Sequence, residues 1–219
     1  MQTPNHLKVT QWQADRLATS HRDLLNHPRY HAATEYFLCD VYAAKDFSLR
    51  DQQIERVHAK LQTLLPRHMV APLSDALTLN QLSQELDERL ARMLFDEMGA
   101  DHIDEANYCA AYRRCDNGEL RARQIDLTEK LGQDLDGLIH KPLIKSLLMM
   151  SRLPAKLAGL EELQQSLERG FAAFQAMHGA QEFIDLIVAR ERQFMTRILS
   201  GDPHPFAAVG AAAPFDQAD

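Results

Sequence analysis

Glu55 and His58 have residue types and a spacing that suggest metal chemistry. An i, i+3 spacing puts both side chains on one face of a helix, an arrangement that di-iron and di-manganese carboxylate bundles use twice. This chain has one copy, but His31 and Glu35 lie four residues apart on the preceding predicted helix. One interpretation is therefore an iron or manganese site with Glu35, Glu55 and His58 as ligands. The alternative is that Glu55 and His58 lie on a solvated helix face, because their apolar neighbours define the buried one.

A second set of polar residues interrupts predicted apolar helix faces, where burial is costly unless the polar group is paired. One interpretation gathers these residues and two tyrosines in an inter-helix pocket that binds an anionic or amide-bearing ligand. The predicted lining residues are Tyr42, Arg50, Tyr112, Arg123, Gln124 and Glu191. The alternative is that the same groups pair in interhelical salt bridges and hydrogen bonds.

The motifs of several large enzyme classes are missing from the sequence. It contains no Gly-x-Ser-x-Gly, His-Glu-x-x-His, Walker lysine or Gly-x-Gly-x-x-Gly pattern. No cofactor is predicted apart from the iron or manganese alternative. The chain has 31 acidic and 24 basic residues, for a net charge of −7. No segment concentrates basic residues as a nucleic-acid surface requires, so nucleic acid is not expected as a partner.

The apolar runs, among them Leu147 to Met150, are far shorter than the roughly 20 residues of a membrane-spanning helix. We therefore expect no membrane span. We interpret the run from Leu147 to Met150 as core, with the lining of a lipid pocket as the alternative. The first residues are polar and carry no secretory signal pattern, which predicts a cytoplasmic location.

The nine glycines and nine prolines fall mostly between helix-periodic segments, which is typical of an all-α protein. We predict a single-domain bundle of seven to nine helices over residues 1–200, with no β-sheet. Residues 201–219 are rich in Ala, Pro and Gly and are predicted to form a flexible tail. One of the helices is predicted to begin at Thr78, where Thr78 and Gln81 form a capping-box pattern.

Two helices near the C-terminus have the clearest periodicity. Apolar residues from Leu160 to Met177 alternate in steps of three and four, which is the pattern of a heptad seam. Gly170 lies in this seam and is expected to admit a neighbouring backbone. The short break at His178 and Gly179 predicts an antiparallel helical hairpin with the next helix.

Residues 36–42 read YFLCDVY. This heptapeptide resembles the motif of a family of uncharacterised bacterial proteins, the FFLEELY-motif proteins. Phe37, Leu38 and Tyr42 match the motif, three other positions carry conservative changes, and Cys39 stands where an acid is usual. The similarity extends over most of the chain. It implies a helical bacterial protein and supplies no catalytic residues.

Two functional hypotheses follow. The first is a non-catalytic protein that binds a partner or forms a homodimer through helix faces, which the heptad seam and the missing catalytic motifs favour. The second is a ligand-binding protein or enzyme with the polar inter-helix pocket described above. The metal site is a variant of this second hypothesis.

Overall fold

Helices make up all the regular structure in the part of the chain that the computed structural model describes, residues 3–41, 53–54 and 67–207. No strand forms within these ranges, which confirms the prediction of a single all-α domain. The helices are α1 (Pro4–Ser20), α2 (Arg22–Asn26), α3 (His31–Tyr36), α4 (Arg67–Ala91), α5 (Glu105–Arg114), α6 (Gly118–Ile139), α7 (Pro142–Met150), α8 (Arg152–Leu157), α9 (Glu161–Ala176) and α10 (Gln181–Leu199). Short π-helical segments follow α3 (Phe37–Val41) and α4 (Arg92–Glu97). No helix in the described ranges is both long and apolar enough to cross a bilayer.

Helix α5 begins at a reciprocal cap. The Asn107 backbone N–H donates to Asp104 Oδ1 at 2.8 Å, and the Asp104 backbone N–H donates to Asn107 Oδ1 at 3.0 Å. Two backbone donors that no helical carbonyl can reach are thereby satisfied. This cap fixes the start of a helix that carries Tyr108 and Tyr112.

The predicted helix start at Thr78 is wrong. Helix α4 runs without interruption from Arg67 to Ala91, and Thr78 lies in its middle. The Thr78 hydroxyl donates to the Ser74 carbonyl oxygen at 2.9 Å, one turn earlier. A threonine inside a helix can bond to the preceding turn in this way, so the capping pattern alone did not mark a terminus.

The core consists of two clusters that α10 joins. One cluster lies among α3, α9 and α10 and includes Tyr30, Phe174 and Phe183. The other lies among α1, α4 and α5 and includes Leu90 and Tyr108, with Ile198 contributed from the far end of α10. Helix α10 packs mainly on α6 along its length. The middle of α10 therefore lies between the two clusters, and this is where Glu191 is found.

The two C-terminal helices follow each other across a tight turn, in which His178 and Gly179 have φ angles of 53° and 121°. Their principal packing partners are other helices, since α9 packs on α3 and α10 packs on α6. Gly170 on α9 faces Tyr36 of α3. A Cβ atom at this position would lie 2.8 Å from the ring of Tyr36. The neighbour that Gly170 admits is thus an aromatic side chain rather than a backbone.

The predicted flexible tail begins too early. Pro205 is fully buried, and the Phe206 ring packs edge-on against Trp12 and Phe194 at centroid distances of 5.9 and 5.5 Å. Residues 201–207 therefore belong to the folded domain, because their aromatic and proline side chains cover the second core cluster. Residues 208–219 lie outside the described part of the chain.

The interpretation of Leu147 to Met150 as core is also wrong. Leu147, Met149 and Met150 are exposed on α7, and Leu148 is half-buried. Apolar residues at helical spacing indicate which face is apolar, but they do not show that another element covers it.

Candidate functional site

A cavity of about 130 Å³ lies between the two core clusters. Helices α1, α5, α6 and α10 contribute to its wall, together with Phe37 and Leu38 after α3 and Phe206 after α10. Most of the lining is aliphatic or aromatic. The polar or charged lining side chains that matter for its chemistry are Arg16, His21, Tyr112, Arg121, Gln124 and Glu191. A small number of polar groups in an apolar cavity is typical of ligand sites.

Arg16 and Glu191 form a charged pair at one side of the cavity. Arg16 Nη1 donates to Glu191 Oε1 at 2.5 Å, and both side chains are mostly buried. Burial alone would lower the pKa of Arg16, but the nearby Glu191 carboxylate outweighs this effect and the pKa is raised. The guanidinium also lies 5.7 and 5.3 Å from the ring centroids of Phe194 and Phe206. The positive charge is thus held by both a carboxylate and aromatic faces.

His21 lies beside this pair. Its Nδ1 is 3.1 Å from the Leu17 carbonyl oxygen, and its Nε2 is 3.8 Å from Glu191 Oε1. Burial lowers the pKa of His21, and the Arg16 charge opposes protonation further, although Glu191 acts in the other direction. The imidazole is therefore neutral near pH 7. Because Nδ1–H donates to the Leu17 carbonyl oxygen, Nε2 of the neutral ring carries a lone pair that can accept a hydrogen bond.

Arg121 is the second buried cation of the cavity, and its contacts are long. It is 5% exposed, and its Nη1 lies 3.9 Å from Asp87 Oδ1 and 3.4 Å from Gln124 Oε1. Its Nη2 lies 3.5 Å from the Leu86 carbonyl oxygen. Burial raises the pKa of Asp87, although the Arg121 charge acts in the other direction. Arg121 is therefore less well compensated than Arg16.

Three buried nitrogen atoms of the cavity side chains have no hydrogen-bond partner among the described residues. They are Arg16 Nε, His21 Nε2 and Arg121 Nε. A buried polar atom without a partner costs about 1–3 kcal/mol, and native proteins contain few of them. All three atoms belong to side chains that line this cavity.

The two tyrosines of α5 line the same cavity. Tyr108 and Tyr112 are buried, and Arg121 lies 4.9 Å from the Tyr112 ring centroid. Burial raises the pKa of both phenols above its usual value. Both hydroxyls thus remain protonated near neutral pH and can donate hydrogen bonds.

Three of the six residues predicted to line a pocket come together in this cavity: Tyr112, Gln124 and Glu191. Gln124 Nε2 also donates to Ser83 Oγ at 2.8 Å, which orients its amide. Arg123 does not belong to the cavity, because it is exposed on α6. Tyr42 and Arg50 lie outside the described residues.

The sequence prediction missed Arg16, His21 and Arg121. The signal for Arg121 was present, since residues 121, 124, 125, 128 and 132 share one face of α6 and all line the cavity. Arg16 and His21 gave no comparable signal. Arg16 is important because of a carboxylate that lies far away in the sequence.

The predicted metal ligands do not form a site within the described residues. Glu35 is exposed, and its Oε2 lies 3.8 Å from His31 Nε2. Glu55 and His58 lie outside the described part of the chain. Residues 3–41, 53–54 and 67–207 contain no group of three or more potential metal-ligating side chains.

The chain belongs to the family described as Domain of unknown function (DUF8198), which matches residues 2–205. Neither a curated protein nor a solved structure matches the chain. The family covers nearly the whole domain and its description gives no activity. The chemistry of the cavity is therefore the basis for a functional argument.

Proposed function

We propose that the protein binds a small organic anion, an apolar body that carries a carboxylate, inside the cavity between the two core clusters. The observation that carries this proposal is the incompletely paired, buried guanidinium of Arg121 in a cavity that is otherwise mostly apolar. This proposal corresponds to the second of the two hypotheses drawn from the sequence.

The charges around the cavity favour an anion. Glu191 compensates Arg16 at 2.5 Å, whereas the carboxylate paired with Arg121 among the described residues is Asp87, at 3.9 Å. Burial raises the pKa of Asp87, whereas Arg121 and the hydrogen bond from Gln13 lower it. A buried charge without a close counter-ion is costly, and a ligand carboxylate beside Arg121 would remove that cost. Gln124 and the Tyr112 hydroxyl offer further hydrogen bonds next to Arg121.

The size of the cavity limits the ligand. An engineered apolar cavity of about 150 Å³ accepts benzene, so a cavity of this size holds roughly one ring or a short branched chain. Six aromatic side chains line the cavity and suit such a body: Phe37, Tyr108, Tyr112, Phe183, Phe194 and Phe206. The ligand class is therefore a small aromatic or branched aliphatic carboxylic acid.

Two residues of the heptapeptide that resembles the FFLEELY motif support the same site. Phe37 and Leu38 line the cavity, and Asp40 of this segment is buried and accepts two hydrogen bonds from Arg169 Nε at 3.1 and 3.2 Å. We propose that the motif forms one wall of the pocket and that the Asp40 ion pair to α9 holds that wall in place.

The heptad seam gives little support to the other hypothesis, a protein that binds a partner or itself through helix faces. That hypothesis was drawn from the seam and from the missing catalytic motifs. Within the seam, Leu163, Phe174 and Met177 are buried, and Gly170 faces the ring of Tyr36. Leu167 is exposed, so the seam itself offers little apolar surface for a dimer.

Thermal unfolding in the presence of small acids tests the proposal. We expect benzoate, phenylacetate or a branched aliphatic carboxylate to raise the Tm, while the matched alcohols do not. At a ligand concentration of about 100 times Kd, stabilisation is about 2.7 kcal/mol. This corresponds to several degrees, since about 1 kcal/mol shifts the Tm of a chain of this size by 2–4 °C. Equal effects of acids and alcohols, or no effect of either, would contradict the proposal.

A further inference from the structure

Helices α7 and α8 expose an apolar surface that nothing in the site described above uses. Leu143 and Met150 are each 75% exposed, and Leu153 and Leu157 are 66% and 81% exposed. By contrast, the exposed large hydrophobic residues elsewhere in the described chain, Leu7, Leu167 and Leu199, reach at most 46%. We refer to residues 143–157 as the α7–α8 surface.

The spacing of these residues gives each of the two helices an apolar face. Leu143, Leu147 and Met150 lie at i, i+4 and i+7 on α7, and Leu153 and Leu157 lie at i and i+4 on α8. Side chains this exposed project from the surface instead of lining a groove. They are therefore suited to entering an apolar medium rather than to receiving another helix.

The charge of the segment is opposite to that of the whole chain. Residues 140–160 contain Lys141, Lys145, Arg152 and Lys156 and no acidic residue, although the chain has a net charge of −7. Arg152 pairs with Glu168 at 2.7 Å. The three lysines are exposed, and none has a carboxylate partner among the described residues. The segment thus offers three uncompensated positive charges next to the two apolar faces.

We propose that the α7–α8 surface docks on the interface of a lipid bilayer that contains anionic lipids. Leucine and methionine side chains would enter the boundary between headgroups and acyl chains, while the lysines contact the negatively charged headgroups. A second copy of the same surface is a poorer occupant, because a symmetric contact would bring the lysines of both copies together. A bilayer supplies both the apolar phase and the opposite charge.

The lysines and leucines of the α7–α8 surface should each make a measurable contribution to vesicle binding. A basic residue near an anionic bilayer contributes about fivefold in binding. Replacing two lysines by glutamate is therefore expected to weaken binding by at least about 25-fold. Replacing two exposed leucines by serine removes apolar area and is expected to have an effect of similar size.

Cosedimentation of the full chain with lipid vesicles tests the proposal. One set of vesicles contains phosphatidylcholine alone, and the other contains equal parts of phosphatidylcholine and phosphatidylglycerol. We expect binding to the mixed vesicles at low salt, much weaker binding to phosphatidylcholine alone, and loss of binding as salt screens the charges. The Leu153→Ser/Leu157→Ser and Lys145→Glu/Lys156→Glu variants are expected to lose it at low salt.

Two control variants test whether a loss of binding is specific to the α7–α8 surface or follows from any change in polarity or net charge. Leu7→Ser removes an exposed leucine elsewhere, and Arg114→Glu/Arg123→Glu makes the same change in net charge at exposed positions outside the α7–α8 surface. Both controls are expected to bind the mixed vesicles like the unmodified chain. Circular dichroism verifies that each variant is folded.

Three results would overturn the proposal. The first is no cosedimentation with the mixed vesicles at low salt. The second is binding that the two surface variants retain. The third is a dimer, detected by light scattering, that Leu153→Ser/Leu157→Ser dissociates while vesicles bind nothing, since the surface would then be an interface between copies of the chain.

Discussion

Arg16 and Glu191 are 175 residues apart in the chain, and their side chains meet with 2.5 Å between Nη1 and Oε1. Helix α1 supplies the arginine and α10 supplies the glutamate. The two side chains are 14% and 20% exposed, so each charge is stabilised largely by the other and not by water. This pair joins the two ends of the described chain at the wall of the cavity.

Replacing Glu191 by glutamine tests the importance of this pair for stability. Glu191→Gln leaves the Arg16 charge mostly buried without its counter-ion, and we expect a loss of about 3 kcal/mol in the free energy of unfolding. Urea unfolding measures it. Glu129→Gln is the control, because it removes a half-exposed partner of Arg192 and is expected to cost less than about 1 kcal/mol. Equal losses for the two variants would show that the Arg16 pair is not special.

His21 predicts a dependence of stability on pH. Burial lowers its pKa in the folded protein below the ordinary value of a histidine, about 6.5. The unfolded chain then binds the proton more tightly, so the His21 contribution is complete above the unfolded pKa and is lost as pH falls toward the folded pKa. In urea unfolding over this pH range, the free energy of unfolding should fall less with decreasing pH for His21→Gln than for the unmodified chain. Parallel pH profiles would rule out this role for His21.

Replacing Gly170 by alanine tests the close packing of α9 on α3, and the same change at Gly137 is the control. A Cβ at position 170 would lie 2.8 Å from Tyr36, and we expect Gly170→Ala to cost about 1–3 kcal/mol because ring and helix must move apart. Gly137 is exposed within α6, and its Cβ would meet nothing within 4 Å. Gly137→Ala should stabilise the protein by about 0.5–1 kcal/mol, since alanine favours the helix. Thermal unfolding measures both changes in stability. If Gly170→Ala and Gly137→Ala changed the stability in the same direction, the described packing of α9 on α3 would be wrong.

Phe206 predicts that residues beyond α10 are part of the folded domain. Its ring contacts Trp12, Tyr108 and Phe194, and it lines the cavity. We expect Phe206→Ala to lower the free energy of unfolding by about 2–4 kcal/mol, because it removes these contacts and enlarges the cavity. A change below about 0.5 kcal/mol in urea unfolding would mean that this segment does not pack as described.

The fold class was predictable from local information. Glycines and prolines that separate helix-periodic segments give the all-α class, and α7 begins at Pro142, a residue type suited to the first turn of a helix. The start of α4 was not predictable from its capping pattern, because the Thr78 hydroxyl bonds back to Ser74 within a longer helix. The exposure of Leu147 was not predictable either, since it depends on which elements pack beside α7.

About half of the described site could be predicted. Gln124 and Glu191 are recognisable because they interrupt apolar helix faces. The prediction chose Arg123 instead of Arg121. The apolar residues of α6 define its buried face only to within part of a helical turn, so they do not distinguish these two positions. Arg16 could not be assigned a role, since its partner Glu191 is brought to it only by the tertiary fold.

Calorimetric titration of benzoate, or of the acid that raises the Tm most, tests the ligand site most directly. The comparison is between Arg121→Gln and Arg123→Gln, two arginines of α6 of which the first is buried at the cavity and the second is exposed. A hydrogen bond to a charged group contributes about 1.5–3 kcal/mol, so the account predicts at least about a tenfold loss of affinity for Arg121→Gln. Arg123→Gln should bind like the unmodified chain. Equal affinities for the two folded variants would contradict a carboxylate site at Arg121.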